Sequence, residues 1–190
     1  MSGATPQAVV IGASAGAVQA LSTILPRLPI DYPVPVLIVV HVPEGPSGLH
    51  TLFASKGAIA FREPEDKEPI VPATVYLAPP GYHMLVELNR NIALSTDEPV
   101  LFSRPSIDVL FESAADSYGP GLTGIILTGA NEDGARGAAA IHRAGGTVLV
   151  EDPATAYAPA MPTAARAYCP AAKSMSLDAI ADHLLNLGTS

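Results

Sequence analysis

The sequence predicts an α/β domain: a mostly parallel sheet wound by helices on both faces in three layers, with a small antiparallel hairpin inserted. Two observations carry this. Several short β-branched runs are apolar throughout, without the alternation of a half-exposed strand, as parallel strands covered on both faces are. Segments with apolar residues at helical spacing lie between them, and glycine marks the strand-to-helix junctions. At 190 residues the chain reads as one domain, 1–190, large enough to bury a substantial core.

Taken in order, Val9-Val10-Ile11 is a buried strand that stops at Gly12, and Ala17, Ala20, Leu21 and Ile24 then share one helical face. Proline at 26 and 29 closes that helix. Val36 to Val40 is a second strand, ending at His41 before the loop Val42-Pro43-Glu44-Gly45-Pro46-Ser47-Gly48. Leu49 to Ser55 reads as a short helix. Between Ala58 and Leu94 four short β-like runs, split by Pro, Gly and the Asn89-Arg90-Asn91 turn, predict an antiparallel insertion instead of further βαβ units. A helix opens near Pro105-Ser106, with Val109, Leu110 and Ala114 on one face. Gly124 to Thr128 is a third strand. It runs into an alanine-rich helix that ends at Ala144-Gly145-Gly146, before a strand at Thr147 to Val150. Short helices follow at Pro162 to Ala167 and Ser176 to Leu187, the last with Ser176 as N-cap.

Composition narrows the function. A formal charge of −8 with no Lys/Arg cluster disfavours a nucleic-acid partner. The one cysteine, Cys169, makes neither an internal disulfide nor a cysteine-rich metal site, and no His/Asp/Glu cluster has metal-ligand spacing. Met1 to Gln7 has no cationic signal region, and Val34 to Val40 is too short to cross a bilayer. The expectation is a cytoplasmic protein without cofactor, metal or membrane insertion.

Three strand ends offer a hydroxyl (Ser14), an imidazole (His41) and a carboxylate (Asp133). A serine hydroxyl attacks only once a base takes its proton. Imidazole does this near neutral pH, and a buried carboxylate fixes its tautomer. Each residue also has a plainer reading: Ser14 as a helix cap, His41 as a satisfied strand-end histidine, Asp133 as a turn or N-cap aspartate. Nucleotide binding is a further option for the Gly12/Gly16 turn, although G-x-G-x-x-G is absent. Joint placement at three strand ends favours chemistry. His83 is a candidate for the same cleft. Arg104, a cation in front of a helix, suits a substrate carboxylate, an acidic partner or plain solvent.

Five ordered motifs sharpen this: Gly12-Ala13-Ser14-Ala15-Gly16, Val39-Val40-His41-Val42-Pro43, Leu77-Ala78-Pro79-Pro80-Gly81-Tyr82-His83-Met84, Arg104-Pro105-Ser106-Ile107-Asp108-Val109-Leu110-Phe111, and Ile126 through Gly137. In order and spacing they resemble the catalytic domain of CheB, the chemotaxis protein-glutamate methylesterase. The resemblance implies a Rossmann-like doubly wound fold and a serine esterase of glutamate γ-methyl esters on methyl-accepting chemoreceptor cytoplasmic helices, with glutamine deamidation often accompanying it. It implies Ser14 as nucleophile, His41 as base, Asp133 as its orienting carboxylate, and an oxyanion hole from N–H groups at Ala15 and near Ala130. The family's Ser-Thr-Gly-Gly is here Ser14-Ala15-Gly16-Ala17, and its Met-Gly before x-Asp-Gly is Ala130-Asn131. Members of the family usually carry an N-terminal receiver domain. With the sequence opening at the esterase strand, the expectation is a stand-alone esterase, controlled by a separate receiver protein or by none, with a fragment of a longer protein as the alternative. The rival readings are a non-catalytic chemosensory binding module and a small-molecule acyl hydrolase on the same architecture.

Overall fold

The computed structural model describes residues 7–42, 47–187 and 189. The sequence readings at Met1 to Pro6 and at Pro43 to Pro46 lie outside them. Its centre is a seven-stranded sheet in the order β3-β4-β2-β1-β7-β8-β9. The strands are β1 (Ala8–Ala13), β2 (Val36–Val40), β3 (Ala60–Arg62), β4 (Thr74–Leu77), β7 (Leu122–Ile126), β8 (Thr147–Glu151) and β9 (Lys173–Met175), and every pair is parallel. The chain starts at β1, winds outward to β3, then returns to β7 beside β1 and winds out the other way. Strand direction is shared, so all the strands' carboxyl ends, and the turns that follow them, open on one edge. That edge is where a doubly wound sheet leaves a crevice.

Alternation along β1 shows how both faces are filled. Val9, Ile11 and Ala13 point into a core with Leu21 and Ile24 of α1 (Ala17–Ile24), Phe53 of α2 (Leu49–Ala54), and Ile180 and Leu184 of α6 (Leu177–Leu187). Ala8 and Val10 point into the opposite core, with Leu110 and Phe111 of α3 (Ile107–Tyr118), Ile141 of α4 (Ala135–Arg143) and Met161 of α5 (Ala160–Tyr168). The predicted inward face of α1 is the observed one, Ala17, Ala20, Leu21 and Ile24.

The segment from Ala58 to Leu94 departs from expectation in part. Only β5 (His83–Val86) and β6 (Ile92–Ser95) form an antiparallel hairpin, whereas β3 and β4 join the main sheet in parallel. No helix spans the crossover between them, which removes the periodicity signal of a βαβ unit. Burial of all four β4 residues is what draws the strand into the sheet. The edge strand β9, short and mostly exposed, has no apolar run to announce it. Packing over the crevice is close: a Cβ on Gly12 would sit 2.4 Å from Ile107 Cγ2, so glycine lets α3 lie against the end of β1.

Candidate active site

Register brings the first two candidate residues together. β1 and β2 pair with Ala13 opposite Val40, and His41 N–H continues the ladder to Ala13 C=O at 3.1 Å. Ser14 and His41, the next residues on each strand, therefore leave the sheet side by side. Ser14 sits in a turn held from the other neighbour, its N–H donating to Thr128 C=O at 2.9 Å. Gly16 follows at φ 85, a left-handed conformation that glycine adopts without strain, and α1 starts at Ala17.

Asp133 arrives from the loop after β7. Its Oδ2 lies 2.7 Å from His41 Nε2; the carboxylate is fully buried and the imidazole about 10% exposed. A carboxylate accepts, so Nε2 carries the proton and Nδ1 keeps the lone pair for a reactant. The serine-protease template uses the ring the other way round. Among the described residues no hydrogen bond joins Ser14 Oγ to His41.

The carboxylate is held by more than the histidine. Ser106 Oγ donates to Oδ1 at 2.9 Å, Asp108 N–H to Oδ1 at 2.9 Å, and Ile107 N–H to Oδ2 at 2.7 Å. Asp133 thus caps the N-terminus of α3, where N–H groups lack helical partners. Burial alone would push its carboxyl up; the His41 imidazole and the N–H groups of Asp108 and Ile107 outweigh burial and hold it below the ordinary carboxylate range. The exchange is reciprocal: Asp108 Oδ1, on α3, accepts from Gly134 and Gly137 N–H at 3.0 and 2.7 Å, at the start of α4. The turn carrying Asp133 is closed by Asn131, whose Oδ1 accepts Asp133 N–H at 3.0 Å.

The remaining sequence candidates divide. Ala15 and Ala130 offer N–H groups that donate to no described residue, beside Ser14 and in the loop before Asp133 respectively. His83 is buried with both ring nitrogens engaged, Nε2 with Glu98 C=O at 3.0 Å and Nδ1 with Ser106 N–H at 3.1 Å. It stands behind Ser106, with no ring nitrogen left for a substrate. Arg104 Nη1 donates to the carbonyls of Thr96 and Asp97 at 3.0 and 3.2 Å, bracing the loop before α3.

Ser106, Asp108, Thr128 and Glu151 are site-supporting residues that the sequence reading missed. Thr128 Oγ1 donates to Ala15 C=O at 2.8 Å, and Glu151 Oε2 accepts Thr128 N–H at 2.8 Å, so a buried carboxylate steadies the turn behind Ser14. Burial pushes the Glu151 carboxyl up. A serine just before a helix signals a cap, but nothing local links it to a carboxylate 27 residues on. Among the described residues no group of three or more His, Cys, Asp or Glu side chains is arranged to hold a metal ion. None of the described helices is long and apolar enough to cross a membrane.

Comparison with known proteins identifies the family and the fold. The family model described as CheB methylesterase matches residues 9–184. A Leptospira interrogans protein, provisionally named protein-glutamate methylesterase/protein-glutamine glutaminase, is 43% identical over 182 residues, 95% of this chain and 94% of its own length. The Symbiobacterium thermophilum protein-glutamate methylesterase/protein-glutamine glutaminase is 43% identical over 81% of this chain, and the Bordetella parapertussis one 40% identical over 93%. This chain spans about half the length of those two, 43% and 52% respectively. The crystal structure of the Thermotoga maritima CheB methylesterase catalytic domain superposes with a TM-score of 0.90 at 31% identity, covering 96% of this chain and 98% of that one. Fold, sequence relatives and family match converge: the chain belongs to the CheB methylesterase family.

Proposed function

We propose that this chain is a serine esterase that hydrolyses glutamate γ-methyl esters on proteins, with methyl-accepting chemoreceptor helices as substrate. The observation that carries the reading is the buried Asp133–His41 pair at 2.7 Å beside Ser14, which the β1–β2 register sets next to His41.

In this mechanism Ser14 Oγ attacks the ester carbonyl carbon while its proton passes to His41 Nδ1. Nucleophile–base contacts of this kind commonly tighten only when substrate is seated. The carbonyl oxygen becomes an oxyanion met by the N–H groups of Ala15 and Ala130, and Asp133 stabilises the imidazolium through Nε2–H. Collapse of the tetrahedral intermediate breaks the C–OCH3 bond, and the His41 proton leaves with methanol. Water, deprotonated by His41, then attacks the acyl-serine, releasing the glutamate carboxylate and restoring Ser14. A glutamine side chain entering the same route would release ammonia instead of methanol.

The deciding experiment is methanol release from methylated receptor membranes of the same organism, comparing the wild type with Ser14→Ala. Release by the wild type alone is expected, with the variant down by at least about 1,000-fold. Release by both would overturn the serine assignment, and release by neither would overturn the esterase reading.

A further inference from the structure

The Asp133 carboxylate faces two ways, and the second direction sets how it serves the first. Oδ2 meets His41 Nε2 at 2.7 Å and Ile107 N–H at 2.7 Å, while Oδ1 meets Ser106 Oγ and Asp108 N–H, both at 2.9 Å. Three of these four donors come from consecutive residues at the start of α3. Two are main-chain N–H groups that no side-chain substitution removes. The third, the Ser106 hydroxyl, is a discretionary donor from a fully buried side chain. A helix-capping serine ordinarily turns its hydroxyl onto its own helix, yet Ser106 makes no such cap bond and gives the hydroxyl to Asp133. Its N–H is spoken for by His83 Nδ1 at 3.1 Å, and His83 is itself fixed by Glu98 C=O. A chain of hydrogen bonds thus runs from the carbonyl of the exposed Glu98 inward through the buried His83 and Ser106 to the carboxylate that meets His41.

We infer that Ser106 is a positioning residue for the reaction, fixing the plane of the Asp133 carboxylate and moderating the charge it presents to His41. The inference rests on the reading of Asp133 as the partner of a catalytic His41. A hydroxyl on Oδ1 withdraws charge from the carboxylate. Without it, more negative charge faces the imidazole, the protonated ring is favoured, and the base is available only at higher pH. The carboxylate also loses one of the contacts that hold its plane, so the imidazole is aimed less well at Ser14.

The test compares wild type, Ser106→Cys and Ser106→Ala in methanol release from methylated receptor membranes between pH 5 and 9. Cysteine is somewhat larger and keeps a weaker donor; alanine has none. The expected result is graded. Serine is fastest, kcat falls about tenfold or more in Ser106→Ala with KM within about twofold, and the acid limb of the profile moves up by roughly 0.5 pH unit. The low-field proton resonance of His41 Nε2–H should move in the same order, and it reads the contact without turnover. An unmoved resonance and acid limb in a folded variant would overturn the inference, even if kcat fell, because a packing defect alone has that signature. Should Ser106→Ala not fold, Ser106→Cys with a wild-type profile and resonance is equally decisive against it. Failure of the esterase reading looks different: wild type then releases no methanol, while the resonance still reports whether Ser106 holds Asp133.

Discussion

Asp108 and Asp133 are neighbouring buried carboxyls shifted in opposite directions. The Asp133 carboxyl is held low by its donors. Burial, with the neighbouring Asp133 charge adding to it, pushes Asp108 up to about 6 despite two N–H bonds on its Oδ1. Oδ2 of Asp108 is buried without a hydrogen-bond partner. The two residues therefore act on stability in separate pH windows. Between about 4 and 6 the folded chain keeps a proton on Asp108 that the unfolded chain has released, so rising pH erodes its contribution. Asp133 works the other way: its contribution is present above the ordinary aspartate range and is lost as pH falls below it. Asp108→Asn should cancel the first effect. The expected outcome is a change in Tm between pH 4.5 and 7 that is more favourable by a few degrees than in wild type, measured by thermal unfolding at both pH values. A pH response identical to wild type would exclude Asp108 as its source.

The loop that feeds α3 carries an unusual turn. Val100 and Ser103 exchange two main-chain hydrogen bonds, at 3.0 and 2.9 Å, across Leu101 and Phe102. Both residues are left-handed, at φ 49 and 64, and Phe102 is fully exposed. A two-residue hairpin turn demands positive φ at both positions, which Asn-Gly meets without strain and Leu-Phe does not. Replacing the pair by Asn-Gly should raise stability by about 1–2 kcal/mol in chemical denaturation, with an unchanged m-value. No gain would mean that the turn is not strained. This turn was illegible in the sequence because Leu-Phe is not turn chemistry. The opposite holds for α1, whose apolar spacing announced its inward face, and for β2, whose unbroken apolar run matches the observed Val36–Val40, buried throughout. β9 was hidden, and β3 and β4 were legible as β-like runs but not as parallel members of the main sheet. All three are three or four residues long and owe their place to neighbouring strands.

Across the whole molecule, the chain's two halves are tied on the α1 side of the sheet. The buried Tyr32 hydroxyl, after α1, donates to Leu184 C=O at 2.7 Å in the last turns of α6, and burial pushes the phenol up so that it stays a donor. Arg27 pairs with Asp182 on the same helix. Tyr32→Phe should cost about 1–2 kcal/mol and lower Tm by roughly 2–6 °C, because it strands a buried carbonyl. A scan within 1 °C of wild type would show that water replaces the bond. Catalysis should not change, since the contact lies on the face away from α3 and Asp133.

The sequence by itself determined the parallel core strands, the amphipathic helices between them, and the residue types (Ser14, His41 and Asp133) that the fold then carries to one edge of the sheet. Those features are written in local periodicity and in residue types at strand ends, where a doubly wound sheet must open. Only the tertiary structure decided the strand order, the parallel entry of β3 and β4, the use of His41 Nε2 for Asp133, and the retreat of His83 behind Ser106. It also decided the cap exchange in which Asp133 serves α3 and Asp108 serves α4. Each of those is a contact between residues distant in the chain, chosen by burial and hydrogen-bond satisfaction, and no local pattern encodes a partner that folding has yet to bring near.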